Sequence, residues 1–253
     1  MAAMGNGIAA APQLISDLVS ANHILYDQGV LDAFGHVSAR HDQAPERFLL
    51  ARNMAPALVT ADDVLEFQLD GEPIAAAGRA VYLERFIHGE IYRARPDVMA
   101  IVHSHSPAVL PFSTATASPL RALCHMAGFL GTATPVYEIR DFAGDGSDLL
   151  ITDRRLGASL AQVLGDKSVV LMRGHGSTAV ADSLITAVYR AVYTEVNARS
   201  QSDALRLGPV NFMTEAEGRS TAQTIEGQAK RAWDLWKKSA EVRCAALAGM
   251  SRD

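Results

Sequence analysis

Hydrophobic residues follow two periodicities along this chain, and segments of each kind alternate. Some segments place apolar residues three and four positions apart, which is typical of helices with one buried face, whereas others are short apolar or alternating runs typical of strands. The predicted helices are 12–31, 82–93, 153–164 and 184–199, and the predicted strands are 36–40, 48–50, 64–69, 99–103 and 168–172. Helices interspersed with strands predict an α/β protein, a three-layer α/β/α sandwich around a mixed central sheet.

The last part of the chain, about 210–248, is predicted to be a helical tail. It follows a break at Gly208-Pro209 and carries Trp233 and Trp236. Two tryptophans three positions apart share one helix face and form a large apolar surface. That surface packs either on the parent domain or on a neighbouring subunit.

Composition predicts a single domain over residues 1–253 and excludes one class of partner. The chain has 253 residues, 49% of them hydrophobic, which is enough to bury one large core. Its net charge is −5, and no cluster of lysine and arginine stands out. Because phosphate contacts require such clusters, we expect no nucleic-acid partner.

Other sequence features predict a cytoplasmic protein. No apolar run reaches the length of a membrane span, and residues 1–11 have no basic region before their small-residue stretch. We therefore expect neither a membrane partner nor an export signal. Cys124 and Cys244 are too few for a disulfide framework, which fits a reducing compartment.

The first candidate for chemistry is a pair of histidines, His103 and His105, at the end of the predicted strand 99–103. Residues two apart in a strand point to the same side, so both imidazoles can reach one ion. A histidine pair alone is a weak motif, and ordinary hydrogen bonding at a strand end explains it equally well.

A third histidine strengthens the metal hypothesis. His175 lies between Gly174 and Gly176, directly after the predicted strand 168–172. The glycines permit a sharp turn and close approach of other groups, so the imidazole is displayed. We expect a helix to follow this turn, with Ser177 and Asp182 as plausible caps. Three histidines from separate segments are typical of a catalytic metal site with an open position.

Glu84 has two interpretations from the sequence. It lies in the predicted helix 82–93 and shares a face with His88 at i+4. In the first, it is a structural charge, either solvated or paired with Arg85 or His88. In the second, it is a functional carboxylate. Beside a metal, a carboxylate can transfer protons or complete the coordination.

From about 14 to 199 the chain resembles the class II aldolase/adducin-like family. The matching pieces, in order, are Gly35-His36-Val37-Ser38-Ala39-Arg40, Glu84 in Glu-Arg-Phe-Ile-His, the segment 92–97, His103-Ser104-His105 and Gly174-His175-Gly176. The resemblance implies that His103, His105 and His175 hold a divalent metal ion, and that Glu84 is the acid/base or a further ligand. It also implies a homo-oligomer, with a tetramer favoured and sites near subunit contacts.

Two departures from the family concern the substrate. His36 stands where aldolases acting on sugar phosphates have asparagine, and the loop 50–56 lacks the hydroxyls and glycine of a phosphate-binding loop. Arg52 retains a positive charge and Met54 offers an apolar surface, although each could be a surface charge or core filling. We therefore predict a small, unphosphorylated carboxylate as the partner molecule, with Ser38, Arg52, Asn53 and Met54 as candidate substrate-binding residues.

His125, between Cys124 and Met126, is either a buried, satisfied histidine or a group that lines the pocket. This segment and His36 resemble family members that decarboxylate hydroxylated aromatic or pyridine carboxylic acids. His36 and His125 are therefore candidate proton donors beside Glu84, the third candidate catalytic residue.

The sequence thus predicts a metal-dependent carbon-carbon lyase, a decarboxylase of a hydroxylated aromatic or heteroaromatic acid. The alternative is an aldolase acting on an unphosphorylated hydroxy or keto acid or sugar. A non-catalytic module like the adducin head is disfavoured because all three histidines are present. Three imidazoles suit zinc, and an added carboxylate makes manganese, iron or cobalt competitive.

Overall fold

The computed structural model describes residues 9–250. The helices are α1 Pro12–Asp27, α2 Arg85–Ala94, α3 Leu110–Thr114, α4 Arg140–Ala143, α5 Arg154–Leu164, α6 Leu184–Leu207, α7 Glu215–Glu226 and α8 Ala229–Met250. The strands are β1 His36–Arg40, β2 Arg47–Ala51, β3 Val64–Gln68, β4 Ala100–Ser104, β5 Val136–Tyr137, β6 Val169–Met172 and β7 Gly176–Ala181. Three short 3-10 helices cover Pro56–Leu58, Ala61–Asp63 and His125–Leu130. Most of 1–11, the segment that bears on an export signal, lies outside the described residues.

The seven strands form one mixed sheet in the order β3-β2-β1-β4-β7-β6-β5. Neighbouring strands are antiparallel except β5 and β6, which are parallel. Successive side chains of a strand point to opposite faces, and β4 shows the consequence. Val102 packs in the cluster with α1, α6 and α8, whereas Ile101 packs in the cluster with α2 and α5. Helices on both faces confirm the predicted α/β sandwich with a mixed sheet.

The region after His175 differs from the prediction. We expected a helix directly after the turn, but the chain first forms β7, so β6 and β7 make a hairpin with His175 at its tip. The helix does begin at Leu184, but Ser183 is its cap, accepting a hydrogen bond from the backbone N–H of Thr186. Ser177 lies within β7 and does not cap a helix.

The helix around Glu84 begins later than predicted. It starts at Arg85, and Glu84 occupies the position before the first helical residue. Glu84 is therefore not an interior helix charge, and its side chain is free to turn toward β4.

The C-terminal tail forms two helices, α7 and α8, instead of one. Trp233 of α8 is buried in the cluster with α1 and α6, and Trp236 packs partly buried against it. Of the two alternatives for the tryptophans, the structure shows packing on the parent domain. No helix within residues 9–250 has the length and apolar character needed to cross a membrane.

Candidate active site

Four side chains from three separate segments converge at one end of the central strands. His103 comes from β4, His105 follows this strand, His175 lies at the tip of the β6–β7 hairpin, and Glu84 precedes α2. One ligand atom from each side chain lies within 4.8 Å of the other three. The sequence had predicted this combination of residues, and the fold brings it together.

The geometry of the cluster suits a metal ion. His105 Nε2 lies 3.2 Å from His103 Nε2 and 3.0 Å from His175 Nε2. Glu84 Oε2 lies 3.6 Å from His103 Nε2 and 3.4 Å from His175 Nε2. These four separations are close to those between neighbouring ligand atoms around one ion with metal–ligand bonds of about 2.0–2.1 Å, and the remaining pairs lie within 4.8 Å. The three imidazole nitrogens can therefore surround one small divalent cation, and Glu84 Oε2 lies near enough to be either a fourth ligand or an acid/base beside it.

Hydrogen bonds outside the cluster orient two of its imidazoles. The Nδ1–H of His175 donates to the carbonyl of Leu149 at 2.9 Å, and His103 Nδ1 faces Thr178 Oγ1 at 3.4 Å. A proton held on Nδ1 leaves the lone pair of Nε2 directed at the cluster, as metal-binding histidines require.

Burial favours the unprotonated form of two of these histidines. It holds the pKa of His103 well below its usual value and lowers that of His105, and neighbouring imidazoles add to both effects. Burial also lowers the pKa of His175, but the hydrogen bond and the charge of Glu84 outweigh it, so this pKa is raised. A metal ion bound here would replace that proton, because ligands must be deprotonated.

The two glycines beside His175 have the roles expected of them. Gly174 has a φ of 66°, in the left-handed region. A Cβ on Gly176 would lie 2.1 Å from the backbone oxygen of Ser104, so only glycine lets the hairpin approach β4 this closely. His175 thereby reaches the histidines of the neighbouring strand.

The segment 149–151 supports the cluster from outside, and sequence reasoning missed it. Its Leu149 carbonyl accepts from His175, and the N–H of Ile151 donates to Glu84 Oε1 at 2.9 Å. Leu149 has a φ of 70°, an unfavourable value for a branched side chain. Strained backbone at a site is a recognised feature of functional loops, but the residue types here gave no signal of it.

A cavity of about 360 Å³ opens beside Glu84 and His105. It is lined by Ala33, Phe34, Gly35, His36, Asn53, Met54, Ala55, Tyr82, Leu83, Glu84, His105 and Leu150. None of these described lining residues is a lysine or an arginine. Apolar side chains dominate the walls, and the few polar groups lie near the cluster, as in sites for small molecules.

The candidate substrate-binding residues fall into two groups. Asn53 and Met54 line the cavity. Arg52 does not, because its Nε donates to Asp63 Oδ1 at 2.6 Å. Ser38 is fully buried beneath the site and bonds to His88 and Tyr92.

The two candidate proton donors are also separated. His36 lines the cavity, pairs with His103 across β1 and β4, and has its ring centroid 5.0 Å from that of His103. His125 is exposed and borders a different cavity, walled by Tyr189, Tyr193 and Trp236. Within one chain, therefore, the fold brings His36 but not His125 to the histidine cluster.

Tyr82 was not singled out in the sequence, although it precedes Glu84 by two residues. Its hydroxyl donates to the carbonyl of Met54 at 2.5 Å, and its ring centroid lies 4.6 Å from that of His36. Tyr82 thus fixes the loop that carries Met54 and forms a flat wall of the cavity. Position alone could have suggested it, but its contact with the loop could not be inferred.

Comparison with known proteins agrees with this architecture. The family model of the class II aldolase and adducin N-terminal domain matches residues 16–202. The chain belongs to this family. A decarboxylase, tropJ, of Talaromyces stipitatus is 39% identical to this class II aldolase family member over 251 residues, 90% of this chain and 94% of that protein. The 3,4-dihydroxyphthalate decarboxylase of Arthrobacter keyseri is 33% identical over 187 residues, 68% of this chain and 71% of that protein.

The same fold is found in a solved structure. The L-fuculose 1-phosphate aldolase of Glaciozyma antarctica superposes with a TM-score of 0.73 at 23% identity, covering 92% of this chain and 90% of that one. At this identity the likeness concerns the fold alone. The predicted family is thus confirmed, and the decarboxylase relatives bear out the prediction of a carbon-carbon lyase.

Proposed function

We propose that this protein decarboxylates a hydroxylated aromatic or heteroaromatic carboxylic acid with the help of a divalent metal ion held by His103, His105 and His175. The observation that carries the proposal is the four-residue cluster at the mouth of a largely apolar cavity. The relatives named as decarboxylases support the choice of reaction.

The cavity supports a planar, unphosphorylated substrate. Met54 and Tyr82 offer apolar surface to an aromatic ring, and Asn53 offers amide donors to its oxygens. No described lining residue carries the positive charge that a phosphate would need, since Arg52 is bound to Asp63. We propose that Arg52 acts on the substrate only indirectly, by holding the loop of Asn53 and Met54.

A divalent ion at this site would act as a Lewis acid on a substrate oxygen and stabilise the negative charge that remains when carbon dioxide leaves. Glu84 then has a defined task. Its Oε1 is fixed by the N–H of Ile151, so Oε2 faces the histidines and the cavity. We propose that Oε2 holds the proton that is delivered to the ring carbon, which makes Glu84 the general acid/base.

His36 and His125 take different places in this proposal. His36 contacts the substrate within the cavity. His125 can act as a proton donor only at the site of a neighbouring chain, because it borders a separate cavity of its own chain. This role requires the homo-oligomer that the family resemblance implies.

An aldol cleavage of an unphosphorylated hydroxy or keto acid is the second candidate. It uses the same cluster, because it also leaves negative charge beside a bound oxygen. A purely non-catalytic module is not supported, because such a module does not need three converging histidines and a carboxylate of this geometry beside an open cavity.

Product analysis tests the proposal. The enzyme loaded in turn with Zn²⁺, Mn²⁺, Fe²⁺ and Co²⁺ is incubated with dihydroxybenzene dicarboxylates, hydroxypyridine dicarboxylates and free or phosphorylated ketoses. Carbon dioxide from an aromatic acid is the expected product. Efficient aldehyde release from a sugar phosphate, without decarboxylation of any aromatic acid, would overturn the proposal.

A further inference from the structure

A chain of four hydrogen-bonding side chains runs from the cavity into the core. His36 Nδ1 lies 2.7 Å from His88 Nε2, His88 Nδ1 lies 2.6 Å from Ser38 Oγ, and Ser38 Oγ lies 2.8 Å from Tyr92 Oη. Only His36, at 4% exposure, retains contact with the cavity, and the other three side chains are buried. His36 and Ser38 are two apart on β1, and His88 and Tyr92 are four apart on α2, so each pair shares a face.

The direction of these hydrogen bonds follows from Tyr92, the residue at the buried end of the series. Among the described residues, the hydroxyl of Tyr92 has Ser38 Oγ as its sole hydrogen-bond partner. If Ser38 donated to Tyr92, the proton of the buried Tyr92 hydroxyl would have no acceptor, and an unmet buried donor is costly. Tyr92 therefore donates to Ser38, and the single proton of Ser38 is left for His88.

The order of donors then determines which ring nitrogen carries the proton in His88 and in His36. His88 Nδ1 accepts from Ser38, so the proton of this neutral ring is on Nε2 and is donated to His36 Nδ1. Burial agrees with a neutral His88, since it lowers the pKa of His88 from 6.5 to about 3. His36 Nδ1 accepts, and its own proton must be on Nε2. This nitrogen makes no hydrogen bond to another described residue and belongs to a side chain that lines the cavity.

We infer that Ser38, His88 and Tyr92 are positioning residues that hold His36 as a neutral Nε2–H donor, which binds a carboxylate or hydroxyl oxygen of the substrate. The inference rests on the proposed function for the nature of the substrate, but the position of the protons does not depend on it. It assigns to Ser38 an indirect role in substrate binding instead of a contact.

His36 would give this cavity a hydrogen-bond donor of fixed direction for substrate oxygens. No described lining residue is a lysine or arginine, and the Tyr82 hydroxyl is already committed to Met54. The Nε2–H of His36 and the amide of Asn53 therefore remain to receive substrate oxygens. A neutral His36 is also a poor proton source. If it gave up its Nε2 proton, a new proton would have to come from Tyr92 through Ser38 and His88. Burial raises the pKa of that phenol, which opposes such a transfer.

Neutron diffraction from crystals of the metal-loaded, deuterium-exchanged enzyme tests the proton positions directly. We expect deuterium on Nε2 of His36 and of His88, and none on Nδ1 of either ring. Deuterium on Nδ1 of His36 would overturn the inference. This readout is independent of turnover, so it stands even if the enzyme prefers aldol cleavage.

Kinetic measurements on two matched Ser–Tyr pairs test whether Ser38 and Tyr92 support substrate binding through His36. The Ser159–Tyr137 pair has the same 2.8 Å separation and is also buried, but it joins α5 to β5 away from the cavity. For Ser38→Ala we expect KM for the aromatic acid to rise about three- to tenfold, the usual range for one hydrogen bond, with kcat and metal content within about twofold. Tyr92→Phe should have a smaller effect in the same direction.

Ser159→Ala and Tyr137→Phe should leave KM unchanged. Equal KM in the Ser38→Ala and Ser159→Ala enzymes would contradict the inference, and so would a fall in kcat at constant KM, which would place His36 in proton transfer. If Ser38→Ala does not fold, the neutron map of the wild-type enzyme still decides.

Discussion

At the scale of single residues, the cluster combines groups that the sequence identifies with supports that it does not. Three histidines could be recognised as candidate metal ligands from the sequence: His103, His105 and His175. Two are spaced two residues apart at a strand end and the third lies between glycines, and both settings suit metal binding. The supporting carbonyl of Leu149 belongs to the backbone, so its role depends on a φ of 70° and not on its side chain.

Metal analysis tests the cluster. We expect about one divalent ion per wild-type chain. His103→Ala should lose most of it, because only two of the three proposed imidazole ligands remain. His23→Ala is the control, since His23 lies outside the cluster and bonds to the carbonyl of Val59. Equal metal content in the wild type and His103→Ala would refute the assignment.

Glu84→Gln tests the proposed acid/base. The amide oxygen can still accept from Ile151, so the fold should be kept, but Oε2 is replaced by a group that cannot shuttle a proton. Turnover should fall by at least about a hundredfold. Glu90→Gln on α2 is the control, because Glu90 is also buried but pairs with Arg154 away from the cavity. Turnover within a few-fold of wild type, with metal still bound, would make Glu84 dispensable.

At the scale of elements, the sequence predicted helices and strands well where hydrophobic periodicity was strong. It failed where a contact with another part of the chain determines the local structure. Strands β1, β2, β3, β4 and β6 and helix α5 were predicted to within one residue at either end. Strand β7 was not, because Gly176–Ala181 carries no polar alternation and no large apolar run, and its strand form depends on pairing with β4 and β6. The start of α2 was missed because Glu84 turns to the histidines instead of capping the helix.

Packing of α2 on α5 holds Glu84 and His88 in place, and Gly157 permits it. A Cβ at Gly157 would lie 2.5 Å from the backbone oxygen of Phe86. Gly157→Ala gains about 0.5–1 kcal/mol of helix propensity, but the clash with backbone should cost about 1–3 kcal/mol. We therefore expect net destabilisation in denaturant unfolding. Gly146→Ala, which has no atom within 4 Å, should be neutral. Equal stability of the two variants would show that α2 is free to shift.

At the scale of the whole molecule, a single chain leaves two features unused. Several large apolar side chains outside the substrate cavity are exposed, among them Leu207, Leu235 and Val242. Such side chains are common in contacts between subunits. His125 is also exposed, beside a cavity separate from the histidine cluster. Both features fit an oligomer in which one chain supplies His125 to the site of another.

The last prediction follows from that arrangement. Light scattering should give about four times the chain mass of 27.0 kDa. Glu84→Gln and His125→Ala should each be nearly inactive alone. When the two are mixed by co-expression, a site that takes Glu84 from one chain and His125 from its neighbour is intact in about a quarter of cases, so about a quarter of wild-type turnover should return. If His125 served its own chain, mixing would restore nothing, because every chain would still lack one residue. Full activity of His125→Ala alone would remove it from the mechanism altogether.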